Sequence, residues 1–386
     1  MRRLAVLAPV VTLALTLTAC ATHTREQPSG ETPGRFVKAP ALQVTRLVTG
    51  LDHPWDVKPL GHGRLLISER DRARLSVWRH GHRRTVAFPS KRIWVSSETG
   101  LLGLAVDPRF HRNHRFYTCS GWVTANGGHD VRVNAWRLGA RYRHARLVEN
   151  LVHGFPTSSG RHGGCRLLIA RSGALIVGTG DAAIGTNPQD THSFGGKTLR
   201  LDRMTGRPWP GNRWVHAKNH TKRYLHTYGH RNVQGLAQRR DGTLWSAEHG
   251  PDRNDEINKL VNGGNYGWNP VPGYNESVPM TDHSLPGRQI SARWSSGYPT
   301  IATSGSSFVY GTQWGRYAGT LAVAALKGSE LVFLKFDHIG HFRWKAIPDA
   351  LTHYGRLRAV TQLPGGSLLV TTDNGSGHDA VLRVRP

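Results

Sequence analysis

A weak repeat of turn and short strand runs through the chain and limits the folds that it can adopt. Each copy is a small turn with glycine or a polar residue, followed by a short strand of alternating pattern. The copies are GHGRLLISER near residue 61, PRFHRNHRFYTCS near 108, RSGALIVGTGD near 171, RDGTLWSAEHG near 240, YAGTLAVAALKG near 317 and PGGSLLVTTDNG near 364. Six copies at intervals of roughly 45 to 75 residues predict a β-propeller with one strand-turn-strand signal per blade. A β-sandwich would need fewer and more evenly spaced strands.

Composition favours the same all-β class. The 386 residues include 45 glycines and 12 tryptophans, and long helical periodicities are missing. Such a composition is typical of short strands joined by many turns. Because the repeat spacing is irregular, we expect long connections, which in propellers gather on one face and build the site.

The first 40 residues predict export. Arg2 and Arg3 precede an apolar run of about 14 residues, Leu4 to Leu17, which is typical of a secretory signal and too short to span a membrane. The run ends near Cys20 in a pattern that resembles a bacterial lipobox, whose cysteine is lipidated and becomes the mature N-terminus. The alternative is an ordinary signal with a chance cysteine. We expect a signal peptide over 1–19, lipidated Cys20 and a flexible tether over 20–40, and a propeller over 41–386.

The charge of the chain favours anionic partners. The formal net charge is +26, and loss of Arg2 and Arg3 with the signal leaves +24. We predict no nucleic-acid partner, because no basic helix or RNA-binding signature occurs and exported proteins seldom meet nucleic acid. Adhesion to anionic lipid headgroups or envelope polymers is one interpretation, and a genome that favours arginine codons is the other. The predicted location is the bacterial cell membrane, through the lipid anchor.

Two cysteines remain once Cys20 is assigned to the anchor. An oxidising compartment permits a disulfide between Cys119 and Cys165, and the sequence leaves open whether they are bonded. Two isolated cysteines form no zinc site by themselves.

The segment from Tyr228 to Tyr274 has the densest polar chemistry. P-loop, nucleophile-elbow, HExxH, paired CxxC and GxGxxG patterns are missing from the sequence, which excludes the commonest nucleotide, hydrolase and zinc sites. The segment carries its charges on turn-forming backbone, which indicates a site for an anion, a metal or both, and the alternative is a solvated loop. Its polar residues are Arg231, Asn232, Gln234, His249, Asp252, Asp255 and Glu256.

Other polar turns lie next to the repeat strands. Glu98 precedes a Gly-Leu-Leu run, His162 lies in a glycine-rich turn, and Lys327 follows the fifth repeat strand. Period-two alternation places Arg356 and Arg358 on one face of a strand. Several cations that converge from separate blades would suit a ligand with several carboxylates.

Ten short strings, in order, resemble the glucose/sorbosone dehydrogenase family. They are GLDHPW, ETGLLGLAVDP, GRHGGCRL, GTGD, NPQD with GGKTLRLD, YGHRNVQG, EHGPDRNDEIN, GGNYGW, AALKG and YGRLR. The resemblance covers about residues 45 to 386. It implies a six-bladed β-propeller and a soluble aldose sugar dehydrogenase that uses pyrroloquinoline quinone (PQQ) and calcium.

The resemblance implies a role for each matching residue. His162 matches the general base that removes a proton from the anomeric hydroxyl of the sugar, and Asp255 is expected to lie near it and orient it. The cofactor contacts implied are Arg231, Asn232, Lys327, Arg356 and Arg358, with Tyr274 near a cofactor-contacting tyrosine although the local spacing differs. Gly250 and Pro251 match the carbonyls that hold the catalytic calcium, and Glu256 and Tyr266 match calcium-associated positions.

Three positions depart from the family pattern. Glu98 stands where some members have a glutamine facing the cofactor, so a carboxylate would meet an anionic quinone. His249 replaces a glutamine of some relatives, and Ala359 stands where an aspartate often follows the second arginine. We still expect Glu98 and His249 at the cofactor.

Three functions follow from these patterns. The first is a lipid-anchored enzyme that oxidises an aldose at C1 to the lactone and passes electrons to an acceptor in the envelope. The second is a calcium-dependent lactonase-type propeller hydrolase, which would not need the Lys327, Arg356 and Arg358 set. The third is a non-catalytic propeller that binds envelope glycans or proteins.

Overall fold

Six β-sheets arranged in a ring make up residues 38–386, which are the residues that the computed structural model describes. The six-bladed propeller predicted from the repeats is confirmed, because each repeat copy supplies the second strand of one sheet. The signal peptide, Cys20 and the tether up to residue 37 lie outside the described residues. Within them, no helix is both long enough and apolar enough to cross a membrane.

The chain builds the blades in order, with two exceptions: its first strand joins the last blade, and β17 (Gly264–Asn265), which follows three strands of blade 4, joins blade 3. Blade 1 has β2 (Pro54–Gly61), β3 (Arg64–Glu69), β4 (Arg74–Arg79) and β5 (His82–Thr85), and blade 2 has β6 (Leu101–Val106), β7 (Arg115–Val123), β8 (His129–Leu138) and β9 (Ala145–Phe155). Blade 3 has β10 (Arg166–Ile169), β11 (Ala174–Gly178), β12 (Lys197–Asp202), β13 (Leu225–Tyr228) and β17 (Gly264–Asn265), and blade 4 has β14 (Val233–Gln238), β15 (Leu244–Glu248), β16 (Glu256–Leu260) and β18 (Trp294–Ser295). Blade 5 has β19 (Thr303–Phe308), β20 (Leu321–Ala325), β21 (Glu330–Phe336) and β22 (Phe342–Ala346), and blade 6 has β23 (Leu357–Gln362), β24 (Leu368–Thr372), β25 (Asp379–Arg385) and β1 (Gln43–Leu51).

Helical structure in the described part of the chain is limited to segments of three to six residues. They are the α-helix Phe110–Asn113 and the 3-10 segments Ser90–Arg92, Thr221–Tyr224, Thr312–Tyr317 and Asp349–Leu351.

One strand of each blade lines a central channel. Leaving β1 aside, it is the strand of that blade that comes first in the sequence. These inner strands are β2, β6, β10, β14, β19 and β23, and each contacts the next around the ring, with β23 against β2. The ring closes through β1, which pairs antiparallel with β25 so that the two ends of the domain share blade 6. We call the end of the channel where the inner strands begin the front mouth, and the end where they finish the rear mouth.

Hydrophobic packing holds neighbouring blades together. The buried apolar residues form six clusters, one at each interface between adjacent blades. At the interface of blades 4 and 5, the Trp245 ring lies 4.7 Å from Phe336 and 5.9 Å from Phe308. Removing such a fully buried aromatic side chain typically costs about 3–5 kcal/mol, so the interfaces are stiff enough to fix residues from different blades relative to one another.

Bulges mark the front mouth. In five of the six blades the register between the inner strand and its neighbour shifts within the first residues of the inner strand, at Pro54/Asp56, Leu101/Leu104, Val233/Gly235, Thr303/Ser306 and Leu357/Ala359. A bulge leaves a residue outside the ladder and re-aims its side chain. At the front mouth, the regular pairing between the inner strand and its neighbour is therefore interrupted in five of the six blades.

Candidate active site

A cavity of about 470 Å³ opens at the front mouth. Its lining comes from the turns that lead into the inner strands and from the turns that follow the second strands. The cationic side chains of this lining are Arg70, Arg161, Arg231, Lys327, Arg356 and Arg358. In the described part of the chain, two carboxylates, Glu98 and Asp252, line it with them. The cavity is thus strongly electropositive, as a polycarboxylate ligand requires.

The turn that carries His162 is held in one conformation. His162 has a φ of 54°, and Gly164 has a φ of +56° with no room for a Cβ atom, which would lie 2.2 Å from the amide nitrogen of Gly180. The next residue, Cys165, forms a disulfide with Cys119 of β7 in blade 2. Backbone fit on one side and a covalent link on the other fix the position of the His162 ring.

Asp181 orients the imidazole of His162. The Nδ1 atom of His162 lies 2.8 Å from Oδ1 of Asp181, which is fully buried. That carboxylate also accepts hydrogen bonds from the amide of Ala183, the indole Nε1 of Trp268 and the hydroxyl of Tyr274, at 2.8, 2.8 and 2.7 Å. A carboxylate so placed requires a proton on Nδ1, so the lone pair of Nε2 is available.

The Nε2 atom of His162 has no hydrogen-bond partner among residues 38–386, and His162 lines the cavity. Such an arrangement of carboxylate, imidazole and open nitrogen can accept a proton from a ligand in the cavity.

The prediction that Asp255 orients His162 is wrong. The buried carboxylate of Asp255 accepts hydrogen bonds from the amides of Gly250, Ile301 and Ala302 at 3.0, 2.7 and 2.8 Å, and from the hydroxyl of Thr300 at 2.7 Å. These donors fasten the turn after β15 to the turn before β19. Asp255 therefore shapes the rim of the cavity and does not contact His162.

Arg231 and Asn232 lie at the front mouth, just before β14. Arg231 is buried, and its Nη2 pairs with the carboxylate of Glu276 while its Nη1 donates to the carbonyl of His249. The same Glu276 carboxylate accepts two hydrogen bonds from Arg161 at 2.8 and 2.9 Å. Both arginines lower the pKa of Glu276 despite its partial burial. Two of the cavity's cations, Arg161 and Arg231, are thus already paired with a carboxylate of the chain itself, that of Glu276.

Glu276 belongs to the loop that also carries Tyr274. The hydroxyl of Tyr274 lies 3.0 Å from Nδ1 of His162 as well as against Asp181. Burial, then the charge of Asp181, raises the pKa of Tyr274, so its hydroxyl stays protonated and donates to the carboxylate. The structure places Tyr274 beside His162 and Asp181, whereas the sequence analysis expected it at the cofactor.

Glu98, which precedes the inner strand of blade 2, supports the turn that carries His162. Its Oε2 atom accepts the amide hydrogen of His162 at 3.0 Å and lies 3.4 Å from Nδ2 of Asn232. It also lines the cavity, so one carboxylate bridges two predicted site residues.

Blade 6 and blade 5 complete the ring of cations. Arg358 is buried and its Nη2 lies 2.7 Å from Asp373, while the exposed Arg356 is 3.9 Å from the same carboxylate. Burial opposes ionisation of Asp373, but Arg358 and His53 outweigh it and lower its pKa. The ammonium of Lys327 has no carboxylate within ion-pair distance among the described residues. Lys327 is therefore the cation with the most charge to offer a ligand.

His249 is held neutral at the cavity. Burial, followed by the charges of Arg358 and Arg231, lowers its pKa well below the ordinary histidine value. Its Nε2 atom is buried without a hydrogen-bond partner, as are the Nε atoms of Arg231 and Arg358. Three unsatisfied polar atoms around one cavity indicate that a polar ligand completes the site.

The structure divides the predicted calcium residues between two places. Gly250 and Pro251 line the cavity, and their carbonyl oxygens accept no hydrogen bond from the described chain. Glu256 and Tyr266 do not line it. The Tyr266 hydroxyl donates to the carbonyl of Lys259 and accepts from the amide of Val261, at 2.6 and 3.0 Å.

The Glu256 carboxylate lies buried near Asn258 and Glu248. Burial, then the charge of Glu248, raises the pKa of Glu256. Glu256 does not line the cavity that Gly250 and Pro251 line. The calcium roles implied for Glu256 and Tyr266 stay a prediction. Within residues 38–386, no group of three or more His, Cys, Asp and Glu side chains is arranged to hold a metal ion.

Sequence reasoning missed Asp181, Glu276 and Asp373. Two of them had a signal, since Asp181 and Asp373 follow the third and sixth repeat strands just as His249 and Lys327 follow the fourth and fifth. Turns after second strands meet at the front mouth, so those aspartates belonged in the candidate set. Glu276 lies in an irregular loop and had no such signal.

Comparison with known proteins places these residues in context. The family profile described as glucose / sorbosone dehydrogenase matches residues 51–383. The aldose sugar dehydrogenase YliI of Escherichia coli is 28% identical over 363 residues, which cover 90% of this chain and 94% of that protein.

Solved structures show the same fold. An oxidoreductase (glucose dehydrogenase) from Thermus thermophilus is 33% identical, with a TM-score of 0.76 over 89% of this chain and all of that one (100%). The PQQ-bound aldose sugar dehydrogenase of Streptomyces coelicolor is 26% identical, with a TM-score of 0.73 over 90% of this chain and 99% of that one.

Proposed function

This chain belongs to the glucose/sorbosone dehydrogenase family, and we propose that it oxidises an aldose sugar at C1 to the lactone with PQQ as its cofactor. The observation that carries the proposal is a histidine base, oriented by Asp181, that opens into a cavity ringed by six cations. A relative of the same fold binds PQQ.

The residues at the front mouth fit PQQ. The cofactor is a flat quinone with three carboxylates, and the lining has a surplus of cations together with buried, unpartnered nitrogens on Arg231, Arg358 and His249. Lys327, Arg356 and Arg358 would hold its acidic groups by charge-assisted hydrogen bonds, and Arg231 and Asn232 would hold it from blade 4. When bound, PQQ supplies an acceptor for the hydride that leaves the sugar carbon.

Calcium fits the two free carbonyls. Gly250 and Pro251 offer hard oxygen ligands at the cavity, and calcium takes such ligands together with oxygens of a bound ligand and of water. Close packing keeps this turn in place, since a Cβ on Gly250 would lie 1.8 Å from the carbonyl oxygen of Arg253. Calcium there would polarise an oxygen of the bound cofactor as a Lewis acid.

The chain's own chemistry centres on one proton. His162 takes the proton of the anomeric hydroxyl at Nε2 while the bond from Nδ1–H to Asp181 is kept. The positive charge that forms on the imidazole is stabilised by the adjacent carboxylate of Asp181. A positioned base of this kind contributes typically about 10²–10⁴-fold in rate. Tyr274 and Trp268 bond the same carboxylate and hold it in place.

Dye-linked activity tests the proposal. The purified full-length protein, loaded with PQQ and calcium, should reduce an artificial dye with at least one aldose. His162→Ala should lower kcat by about 10²–10⁴-fold and leave PQQ binding, followed by absorbance, in place. His192→Ala is the matched control, because that side chain is 77% exposed.

Three outcomes would contradict the assignment. They are no dye reduction with any aldose, full activity of the His162→Ala protein, and hydrolysis of lactones without quinone. The last would identify the lactonase-type hydrolase instead.

We propose in addition that the protein is exported and anchored by a lipid on Cys20, and that its electrons pass to an acceptor in the envelope. The support is the lipobox-like sequence that ends at Cys20. Metabolic labelling with a fatty acid should mark the wild-type protein, and Cys20→Ser should abolish the label. Labelling that persists in Cys20→Ser would refute the anchor.

A further inference from the structure

We propose that a cleft lined by arginines at the outer edge of blades 1 and 2 binds a linear phosphate-bearing polyanion, such as polyphosphate or a phosphodiester chain. The cleft has a volume of about 780 Å³. Its arginines, which define what we call the arginine cleft, are Arg64, Arg79, Arg83, Arg84, Arg141 and Arg143. The proposal concerns a surface away from the front mouth and does not depend on the dehydrogenase reaction.

Two separate elements face each other across the arginine cleft. One wall is the hairpin of β4 and β5, whose edge strand is exposed along its whole length. The other wall is the turn between β8 and β9, which carries Arg141 and Arg143. The walls meet where the amide of Ala87 donates to the carbonyl of Arg143 at 2.8 Å and the amide of Ala145 donates to the carbonyl of Ala87 at 2.8 Å. The cleft is thus part of the fixed framework.

The charges of the arginine cleft have almost no partners. Among residues 38–386, no acidic residue lines it. Among the described residues only Arg83 lies within ion-pair distance of a carboxylate, 3.4 Å from Glu69, and that carboxylate is held closer by Arg74 at 2.5 Å. Arg64 lies over the ring of Tyr142 instead, 4.7 Å from its centre. Like charges gathered without counter-charges repel one another, and a polyanion would relieve that repulsion.

The arginines at the front mouth differ from those of the arginine cleft in having carboxylate partners. There Asp373 and Glu276 pair with the arginines, whereas the arginine cleft has five guanidinium groups with no carboxylate partner. Guanidinium groups bind phosphate oxygens in pairs of parallel hydrogen bonds. Six arginines that line one cleft of about 780 Å³ match a ligand with closely spaced charges, which a phosphate chain has and a polysaccharide with one carboxylate per sugar does not.

The shape of the site favours a chain over a membrane. Both walls contribute arginines to the lining of the cleft, so a narrow chain bound in it would meet both sets. A flat bilayer would touch only the rims. Phosphate groups are shared by polyphosphate and by nucleic acids, and the test separates these sources.

Binding of polyphosphate to the purified full-length protein tests the proposal. A fluorescently labelled short-chain sodium polyphosphate should bind at low salt, and log affinity should fall linearly with log salt. Arg79→Gln/Arg84→Gln/Arg141→Gln should weaken binding at least about tenfold and reduce the salt slope by about two to three, because three phosphate contacts are lost. All three side chains are exposed, so the thermal unfolding midpoint should stay unchanged.

A second triple variant controls for net charge. Arg207→Gln/Arg288→Gln/Arg385→Gln removes the same charge from exposed positions outside the cleft and should weaken binding by less than about threefold. Equal losses in the two triples would overturn the proposal, because net charge alone would then explain binding.

Other probes decide between ligand classes. Cleft-dependent binding of either polyphosphate or a single-stranded oligonucleotide supports the site, and the tighter of the two names the source. Cleft-dependent binding of anionic phospholipid vesicles or of a polycarboxylate sugar polymer, without binding of either phosphate chain, would overturn it.

Discussion

The two mouths of the central channel differ in chemistry more than in size. The rear mouth opens into the larger cavity, about 650 Å³ against about 470 Å³ at the front. Yet ten of the sixteen residues that line the front cavity are Asp, Glu, His, Lys or Arg, against four of twenty-four at the rear. Bulges in five inner strands lie at the front, and only β2 has one at its other end as well. Volume alone would have selected the wrong end.

A buried ion cluster lies beside the rear cavity, whose lining includes two of its members, Lys58 and Arg166. Asp56 is fully buried and accepts hydrogen bonds from Lys58 at 2.8 Å, from the amide of Leu104 at 3.0 Å and, as an ion pair, from Arg166 at 3.1 Å. Arg166 in turn donates to the carbonyl of Gln234, and burial lowers its pKa to about 10. The difference between the mouths teaches that one ring of strands can present a densely charged face and a sparsely charged face, with a buried ion cluster that serves the fold.

The largest expected effect lies at the base itself. Asp181→Asn should lower kcat by about 10²–10⁴-fold, because an amide can donate to Nδ1 and leave the proton on Nε2. PQQ affinity should change little, which separates this from loss of the cofactor site. The checks are steady-state kinetics and an absorbance titration, and a normal kcat would show that His162 does not need Asp181.

The ion cluster should matter for stability and not for chemistry. Asp56→Asn should cost about 3–5 kcal/mol in the free energy of unfolding, because it leaves Arg166 and Lys58 buried without their carboxylate. Urea unfolding measures the loss. At a temperature where the variant is folded, its kcat should stay within about threefold of wild type. A large fall in kcat would mean that the cluster reaches the front mouth and would break the division of roles.

The disulfide between Cys119 and Cys165 should stabilise the fold and hold the turn of His162 at the front mouth. Cys119→Ser/Cys165→Ser opens a loop with a sequence separation of 46, and the expected cost is about 2–4 kcal/mol in the free energy of unfolding. KM for the sugar should rise as well, since the His162 turn loses its link to blade 2. Unfolding of the wild type with and without a reductant gives the same comparison, and identical midpoints would contradict it.

Glu276 should weaken cofactor binding by competing for the same cations. Glu276→Gln removes the carboxylate from Arg161 and Arg231 and should tighten PQQ binding by about 3–10-fold, on the order of 1 kcal/mol. The pKa of Glu276 lies below its ordinary value, so the difference should persist as pH falls to about 5. Glu149→Gln, on the exposed outer strand of blade 2, is the control. Weaker binding in Glu276→Gln would show that the carboxylate instead holds the Tyr274 loop closed over the site.

The rear mouth should give the smallest response. His111→Ala/Ser307→Ala changes two residues of its lining and should alter kcat and PQQ affinity by less than about twofold, because neither residue lines the front cavity. The same assays used for Asp181→Asn measure it. A strong effect would erase the contrast between the mouths.

The fold was accessible from sequence because its signal is local. Each second strand carries its own turn and its own alternation, so six copies could be counted without any knowledge of which strand pairs with which. The closing strand Gln43–Leu51 has no such signal, since its partner lies at the other end of the chain.

The site was accessible only in part, because its contacts cross blades. His162 and the arginines at 231, 356 and 358 could be singled out as residue types, but the partner of His162 depends on how blade 3 folds back on itself. Asp255 was assigned to the base through its place in a dense motif, and three backbone amides and one hydroxyl hold it elsewhere. Proximity along the chain is a weak guide where ring closure sets proximity in space.

The pairing of β1 with β25 has a consequence for how the protein is made. The first strand of the domain has no sheet to join until the last seven residues of the final strand, Asp379–Arg385, have been synthesised. Blade 6, which carries Arg356 and Arg358, is therefore the last part of the ring to be completed. A chain that lacks β25 cannot close the ring, so the cation set of the front mouth is complete only after that pairing has formed.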